Sequence, residues 1–334
     1  MESQLIEKAS SVFGVSSSDL RILKGGTYNK VFEYTRESRP HVLRIAPQEG
    51  STTTLEEMLR YLRYLSENGL SVPSPVQSRN GSYVEIIDDD RPYAVHSFTK
   101  VQGIPAEDIE LHKLSKELFR GIGALVGRMH SFSKLYVSGH STAIPQWNET
   151  SNVFSPQAKL KTTEPSIKEK YDSLLQSVLA FQKPTGSFGI IHSDTHLANI
   201  LVESEDMKVG LIDFDDLSYG WYVMDIVVTL FDALVVANRV DDIEFGETLL
   251  NSHLVGYLAQ NDLDPFWIEQ MPIFLKLIET SIYIKHRTDW KLGDTSSWLG
   301  KFMRNRRQRI LNDVPYIALD WRRLATDAAR EHRA

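Results

Sequence analysis

One stretch constrains this chain more than any other, residues 189–225, which read GIIHSDTHLANILVESEDMKVGLIDFDDLSYGWYVMD. At its centre lies the polar run His192-Ser193-Asp194-Thr195-His196-Leu197-Ala198-Asn199. Apolar, β-prone residues flank it, Ile190 and Ile191 before and Ile200 to Val202 after. A further apolar run, Val209 to Ile212, ends on Asp213-Phe214-Asp215. Short runs of Val, Ile and Leu bounded by polar residues read as strands. The pattern therefore predicts short strands bracketing a tight polar loop, with a carboxylate directly after the last of them.

The spacing H-x-D-x-x-x-x-N, with a D-F pair starting fourteen residues after the Asn, is the layout of a kinase active site. Phosphoryl transfer needs positioning and charge neutralisation more than covalent chemistry. One carboxylate accepts the proton of the attacking hydroxyl, while a carboxamide and a second carboxylate hold Mg²⁺ against the nucleotide phosphates. Asp194, Asn199 and Asp213 supply that set. A single Asp or Asn in a loop is ordinarily a turn or cap residue, but turn chemistry does not account for three at this spacing. A rival reading takes His192, Asp194 and His196 as an H-x-D-x-H metal cluster, since imidazole and carboxylate suit Zn²⁺ or Fe²⁺. It leaves Asn199 and the Asp-Phe pair without a role.

The 334 residues suffice for one large or two medium domains, and 42% hydrophobic with 24% charged residues is an ordinary globular balance. A net charge of −7 gives no bulk attraction to nucleic acid or an anionic membrane. There is no cysteine, which excludes disulfides and thiolate catalysis and fits a reducing compartment. The N-terminus has an amphipathic helix pattern rather than that of a signal peptide. The longest apolar stretch, Val223 to Ala237, is interrupted by Asp225 and Asp232, so no membrane span is expected. These features predict a cytoplasmic protein with neither a nucleic-acid nor a membrane partner.

Residues 2–13 read as a helix. Strand-like runs then flank Lys24-Gly25-Gly26-Thr27-Tyr28-Asn29-Lys30, which is either a plain Gly-Gly turn or a hairpin whose N–H groups face nucleotide phosphates. Val42-Leu43-Arg44-Ile45 is the third strand, and Arg44 stands where a kinase carries a phosphate-binding Lys. A guanidinium can bind phosphate oxygens bidentately; the alternative is an exposed edge-strand Arg. Thr54-x-x-Glu57 reads as a capping box opening the next helix, and either Glu57 or Glu56 could instead face Arg44. Three more strands reach Phe98. The backbone of Phe98, Thr99 and Lys100 would then meet the base. Residues 1–98 are thus read as a nucleotide-binding lobe and 99–334 as a helical lobe with the catalytic loop and substrate site.

Within the second lobe, residues 115–130 form an amphipathic helix. Residues 133–165, irregular and rich in Ser, Thr, Pro and aromatics, read as a lid or substrate loop. Helices follow at 166–181, 225–238, 244–260 and 265–285, the last kinked or divided at Pro272. The basic cluster Lys301, Arg304, Arg306, Arg307 and Arg309 reads as a solvated helix face.

Taken together, Gly25-Gly26-Thr27-Tyr28-Asn29, Val42-Leu43-Arg44-Ile45, Met129-His130, His192-Ser193-Asp194 through Asn199, Ile212-Asp213-Phe214-Asp215-Asp216 and Tyr222-Val223-Met224-Asp225 resemble the aminoglycoside phosphotransferase, choline kinase and type II homoserine kinase family. The resemblance covers nearly the whole chain. It implies an α+β, two-lobed protein-kinase-like fold, with a small antiparallel-sheet lobe, a larger helical lobe and ATP or GTP bound between them. It further implies Asp194 as catalytic base, Asn199 and Asp213 as Mg²⁺ ligands, His192 orienting the loop and Asp225 bracing it. Asp215 stands where protein kinases carry Gly, which argues against their activation switch. The expected reaction is transfer of a γ-phosphate to a small-molecule hydroxyl, with an amine-bearing alcohol such as an aminoglycoside, choline or homoserine suited to the acidic run 213–216. Two alternatives are a stress-type protein Ser/Thr kinase, which shares an Asp-Asp pattern, and a nucleotide-binding regulatory module without turnover. The intact Asp194, Asn199 and Asp213 argue against the latter.

Overall fold

The computed structural model describes residues 2–23, 30–48, 50–109, 114–136, 143–149, 152–203, 208–290 and 293–331. The chain divides into two compact units, one of Met1–Gln102 with Tyr136–Ile144 and one of Gly103–Leu135 with Pro145–Ala334.

The first unit holds α1 (Glu2–Val12), β1 (Arg21–Ile22), β2 (Lys30–Arg36), β3 (Arg39–Pro47), α2 (Thr53–Glu67), β4 (Pro75–Val76), β5 (Glu85–Asp88) and β6 (Pro92–Thr99). The strands form one antiparallel sheet in the order β1-β2-β3-β6-β4, with β5 also on β6. Glu37 and Ser38 close the β2–β3 hairpin, both at positive φ (52° and 61°), the conformation whose twist matches the flanking strands. Leu5, Ala9 and Phe13 pack on Phe32, Tyr34, Leu43, Ile45 and Val95, burying one sheet face under α1. The capping box expected at Thr54 does not form. The cap position is Thr52, so Glu57 falls two residues further in and joins the buried stripe of Met58, Tyr61, Leu62 and Leu65. There its Oε1 accepts from the Tyr136 hydroxyl at 2.8 Å, while Thr54 Oγ1 donates to the Ala143 carbonyl.

The second unit holds β7 (Ile104–Pro105), α3 (Lys116–Leu135), α4 (Pro165–Leu179), β8 (Phe188–Ile191), β9 (Ile200–Glu203), β10 (Lys208–Leu211), β11 (Ser218–Trp221), α5 (Val223–Val236), α6 (Ile243–Leu258), α7 (Pro265–His286), α8 (Trp298–Met303), α9 (Arg306–Leu311) and α10 (Trp321–Glu331). Two small sheets, β10-β9-β7 and β11-β8, carry the signature stretch. Helix α5 is buried on every side from Val223 to Val235, as an all-round apolar helix must be. Helices α3 and α6 approach so closely that a Cβ on Gly123 would lie 1.9 Å from the His253 carbonyl oxygen.

Three expectations are corrected here. Helix α7 is not divided at Pro272; a helical Pro forfeits one backbone bond, and α7 is held by a buried face running from Trp267 to Ile284. Of the two readings of residues 133–165, lid or substrate loop, the lid is corrected: beyond Ile144 the segment is a packed clamp, with Val153 lining a cavity. Tyr219 N donates to the Pro145 carbonyl and Trp147 N to that of Tyr219, at 2.8 and 2.9 Å, and Trp147 and Phe154 are fully buried. Its aromatics fill the core rather than line a mobile loop. The basic cluster is not one solvated face either, because Arg306 is buried and bonded to Glu279.

Candidate active site

Strand β8 delivers the chain to His192, and Ser193 turns it with a left-handed φ of 71°. A non-glycine residue holds that conformation only when its surroundings over-determine it. They do. The N–H of His192 donates to Asp225 Oδ2 at 2.9 Å and that of Ser193 to Asp225 Oδ1 at 2.8 Å, with the carboxylate wholly buried. Thr195 Oγ1 donates to the Asp225 carbonyl, Thr229 Oγ1 donates to the Thr195 carbonyl, and Leu197 N–H donates to Asp232 Oδ2 at 2.8 Å. Asp225, Thr229 and Asp232 are spaced i, i+4, i+7, so one face of α5 grips the loop at three points. Thr229 and Asp232 were missed in the sequence; the signal for them was polar residues at helical spacing inside an otherwise apolar helix.

His192 Nε2 donates to the Ile212 carbonyl at 2.9 Å and Nδ1 accepts from Asp194 N–H at 3.2 Å, fixing the neutral tautomer. With both ring nitrogens spent inside the protein, the H-x-D-x-H metal reading fails at its first ligand. The same contact ties the loop to the Asp-Phe segment, reinforced by Ile212 N–H to the Asn199 carbonyl at 2.9 Å. Asp213, the next residue, also has a left-handed φ of 62°.

Asn199 Nδ2 donates to the Asp194 carbonyl and to its Oδ2, at 2.9 and 3.1 Å. Both amide hydrogens are thereby used, which leaves the Asn199 side-chain oxygen for a cation. Asp213 adds one carboxylate. An amide oxygen and a carboxylate beside substrate phosphates fit Mg²⁺, which keeps several waters and seldom takes an all-protein cage. Among the described residues no three His or acidic side chains cluster as a metal site.

Burial raises the Asp194 carboxyl, but the His196 hydrogen bond (Nε2 to Oδ2, 3.3 Å) and charge outweigh it and hold Asp194 below its ordinary value. For His196, burial works downward, yet its bond to Asp194 and the charges of Asp194, Asp232 and Glu107 push it up to about 9. Asp216 is pushed up to about 7 by burial and by the charge of Asp194.

Asp194 opens onto a cavity of about 280 Å³. Glu107, His196, Asp232 and Lys285 give it polar groups, and Phe231, Ile278, Ile282 and Trp298 an apolar wall. Trp298 Nε1 donates to Asp232 Oδ1 at 2.6 Å, so the wall and the loop anchor are one structure. Glu107, Lys285 and Trp298 were not found from sequence, being far from the loop in the chain.

The described residues expected at the nucleotide belong to the first unit. Arg44 on β3 faces Val31 and His96 across the sheet, and Glu57 lies on the buried side of α2. Phe98 on β6 pairs with Val42 and Pro75; Thr99 N–H donates to the Ser74 carbonyl and Lys100 N–H to that of Pro40. Gly25, Gly26, Thr27 and Asn29 fall outside the described residues.

A small antiparallel-sheet unit with one long helix, followed by a mainly helical unit carrying this loop, is the protein-kinase-like fold. The Phosphotransferase enzyme family matches residues 19–265, and the chain belongs to it. It is a phosphotransferase acting on a small-molecule hydroxyl. It is 27% identical over 331 residues to the amicoumacin kinase of Bacillus subtilis (strain 168), covering 96% of this chain and 95% of that one. It is 22% identical over 271 residues to the homoserine kinase of Rhizobium johnstonii, covering 79% and 78%. An amicoumacin kinase solved in complex with AMP-PNP, Ca²⁺ and Ami superposes with a TM-score of 0.83 at 27% identity, covering 97% of each chain. Among the described residues no helix is long and apolar enough to cross a membrane.

Proposed function

We propose that this chain moves the γ-phosphoryl group of Mg²⁺-bound ATP (or GTP) to a hydroxyl of an amine-bearing small molecule, with Asp194 as the base. The observation that carries this reading is that Asp194, held ionised, opens onto a cavity with further carboxylates beside it. An acceptor hydroxyl placed there gives its proton to Asp194 while its oxygen bonds to the γ-phosphorus. The bond from that phosphorus to the bridging oxygen breaks, and the nucleoside diphosphate leaves. Bound between Asn199, Asp213 and the phosphates, Mg²⁺ would supply charge neutralisation. His192 and Asp225 fix the loop that carries these groups. The expected nucleotide contacts are Arg44, Glu57 and the Phe98–Lys100 backbone. The complex of the related amicoumacin kinase with AMP-PNP and Ca²⁺ supports a nucleotide and a divalent cation.

The test is Mg²⁺-dependent nucleotide consumption over a panel of amino alcohols, aminoglycosides and a generic protein. Acceptor-dependent turnover is expected with small amines, and Asp194→Asn should lower kcat by about 10²–10⁴-fold with nucleotide affinity retained. Undiminished turnover in that variant, or phosphorylation confined to the protein substrate, would overturn the proposal.

A further inference from the structure

Asp232 is the third grip of α5 on the catalytic loop, and what completes it comes from far along the chain. Its carboxylate is buried, with Oδ2 accepting from Leu197 N–H at 2.8 Å and Oδ1 from Trp298 Nε1 at 2.6 Å. The charge of His196, whose Nε2 lies 3.3 Å from Asp194 Oδ2, also acts on it. A buried carboxylate is held in place by its donors. One of them, Leu197 N–H, belongs to the loop being held, so the outside support is the indole. The structure secures that indole. Ser297 Oγ caps α8 by accepting from Gly300 N–H at 3.0 Å, and Lys301 Nζ donates to the Val236 carbonyl at 3.0 Å. The Trp298 ring stacks on Phe302 (5.6 Å between centroids, 16° between planes), and Phe302, wholly buried, packs on Phe231. The same indole lines the cavity onto which Asp194 opens. A buried carboxylate with no other duty is satisfied equally by a hydroxyl or a water; an indole satisfies it and walls the cavity at once.

From this arrangement we infer that Trp298 is a positioning residue for Asp194. Its N–H fixes Asp232, Asp232 fixes Leu197, and Leu197 stands three residues after the base. One side chain thus forms part of the cavity wall and sets the alignment of the carboxylate that takes the acceptor's proton. The inference rests on Asp194 being the base and on the cavity being the acceptor site. A misplacement of about 1 Å at a reacting group costs about 10²-fold in rate, so the effect of Trp298 belongs in kcat. A residue that only lined the seat would act on KM.

The experiment uses the full chain with Trp298→Phe, Asp232→Asn, the double variant, and Asp194→Asn as control. Two reactions are followed: transfer to the amines of the acceptor panel, and Mg²⁺-ATP hydrolysis without acceptor. In hydrolysis water gives its proton to Asp194 and its oxygen bonds to the γ-phosphorus, the bond to the bridging oxygen breaks, and inorganic phosphate leaves with the nucleoside diphosphate. Water makes no use of an apolar wall, so hydrolysis reports on the loop alone. Trp298→Phe keeps an apolar ring without the N–H, and should lower kcat about tenfold or more in both reactions with nucleotide Kd unchanged. Asp232→Asn turns an NH₂ toward either Trp298 or Leu197 and should lose at least as much. In the double variant the amide oxygen accepts from Leu197 and the NH₂ meets no indole donor, so the loss should not exceed that of Asp232→Asn alone. Wild-type hydrolysis by Trp298→Phe with a raised acceptor KM would overturn the inference and leave Trp298 a seat residue. So would losses that multiply in the double variant, the mark of independent sites. Should Trp298→Phe not fold, Ser297→Ala takes its place: it loosens the cap of α8 at the surface, and the same fall in hydrolysis is expected, its absence overturning the inference. Undiminished turnover in Asp194→Asn sinks the base assignment itself; an inactive Asp194→Asn beside a fully active Trp298→Phe sinks this inference alone.

Discussion

His130 Nε2 lies 3.0 Å from Asp225 Oδ2, and neither side chain is exposed to solvent. Burial depresses the imidazole more than the Asp225 hydrogen bond raises it, so the ring is neutral and Nε2–H donates to the carboxylate. Its Nδ1 then accepts from the Tyr257 hydroxyl at 2.9 Å, and that hydroxyl accepts from Asn261 at 2.8 Å. Every donor in this buried chain points toward Asp225, which passes the polarity on to the loop N–H groups. Asp225→Asn keeps the shape but turns an NH₂ toward one of these donors whichever way the amide sits. An unsatisfied pair of buried donors at a formerly charged acceptor costs about 3 kcal/mol or more. The denaturant midpoint should fall accordingly, with kcat falling further than folding alone explains. A wild-type midpoint would mean that the loop is held by something other than this carboxylate.

The relay depends on how closely α3 and α6 approach. A Cβ on Gly127 would lie 2.6 Å from the Tyr257 carbonyl oxygen, and one on Gly256 would lie 1.9 Å from that of Arg120. Helix propensity alone predicts that Gly→Ala stabilises either helix by about 1 kcal/mol. Here the obstructing atoms are backbone, which cannot rotate aside, so overpacking wins and the net loss should be about 1–3 kcal/mol. Gly256→Ala should be the worse of the two. Thermal melts of the single variants decide the sign, and a rise in Tm would show that the helices separate without cost.

These two relationships mark where the sequence stopped being legible. The loop and the pair proposed to hold the metal are local, a spacing within one strand-loop-strand stretch, and so the sequence presents them together. The α3–α6 contact joins His130 to Tyr257 across 127 residues, and no local pattern pairs them. Thr229 and Asp232 were visible in principle as polar intrusions in α5, yet only the loop's geometry says what they hold. The capping box failed because Thr52, Thr53 and Thr54 are equally good caps by composition; packing of the α2 stripe chose Thr52 and sent Glu57 inward. The aromatics of 145–156 looked like loop residues because their partners, β11 and α4, lie elsewhere in the chain.

Arg306 illustrates the same limit within a run of basic residues, and it yields a test. Its Nη1 donates to Glu279 Oε1 at 2.7 Å, Lys276 Nζ donates to Glu279 Oε2 at 2.7 Å, and the guanidinium lies 4.6 Å from the Phe302 ring centroid. Both Glu279 and Arg306 are buried. Removing one member of such a pair strands the other, at about 3–5 kcal/mol, whereas replacing both with apolar residues can be nearly neutral. Arg306→Met should therefore destabilise strongly, and Glu279→Leu combined with Arg306→Met should recover most of the loss. Additive losses in the double variant would mean that the two side chains are energetically independent.

The stability of the helical unit should fall in mild acid, and His253 supplies a definite share of that fall. Its Nε2 has no hydrogen-bond partner among the described residues and the ring faces a small apolar void beside Phe119, Ile226 and Leu230. Burial pushes the imidazole down to about 3, the nearby His130 adds to this and Asp225 opposes it. In the unfolded chain the same group titrates at about 6.5. Between those values the unfolded state binds a proton that the native state refuses. Stability is therefore complete above pH 6.5 and is lost as the pH falls, at up to about 1.4 kcal/mol per pH unit for this group. His130, also depressed, acts in the same direction. Leu at position 253 cannot titrate, so the wild type and His253→Leu should show parallel stability above pH 7. They should diverge below pH 6, by about 2 kcal/mol at pH 5. Guanidinium unfolding at pH 5, 6, 7 and 8 measures the difference. Identical slopes for the two proteins would show that His253 enters the folded core already charged, with a partner supplied by rearrangement of α3 or α5.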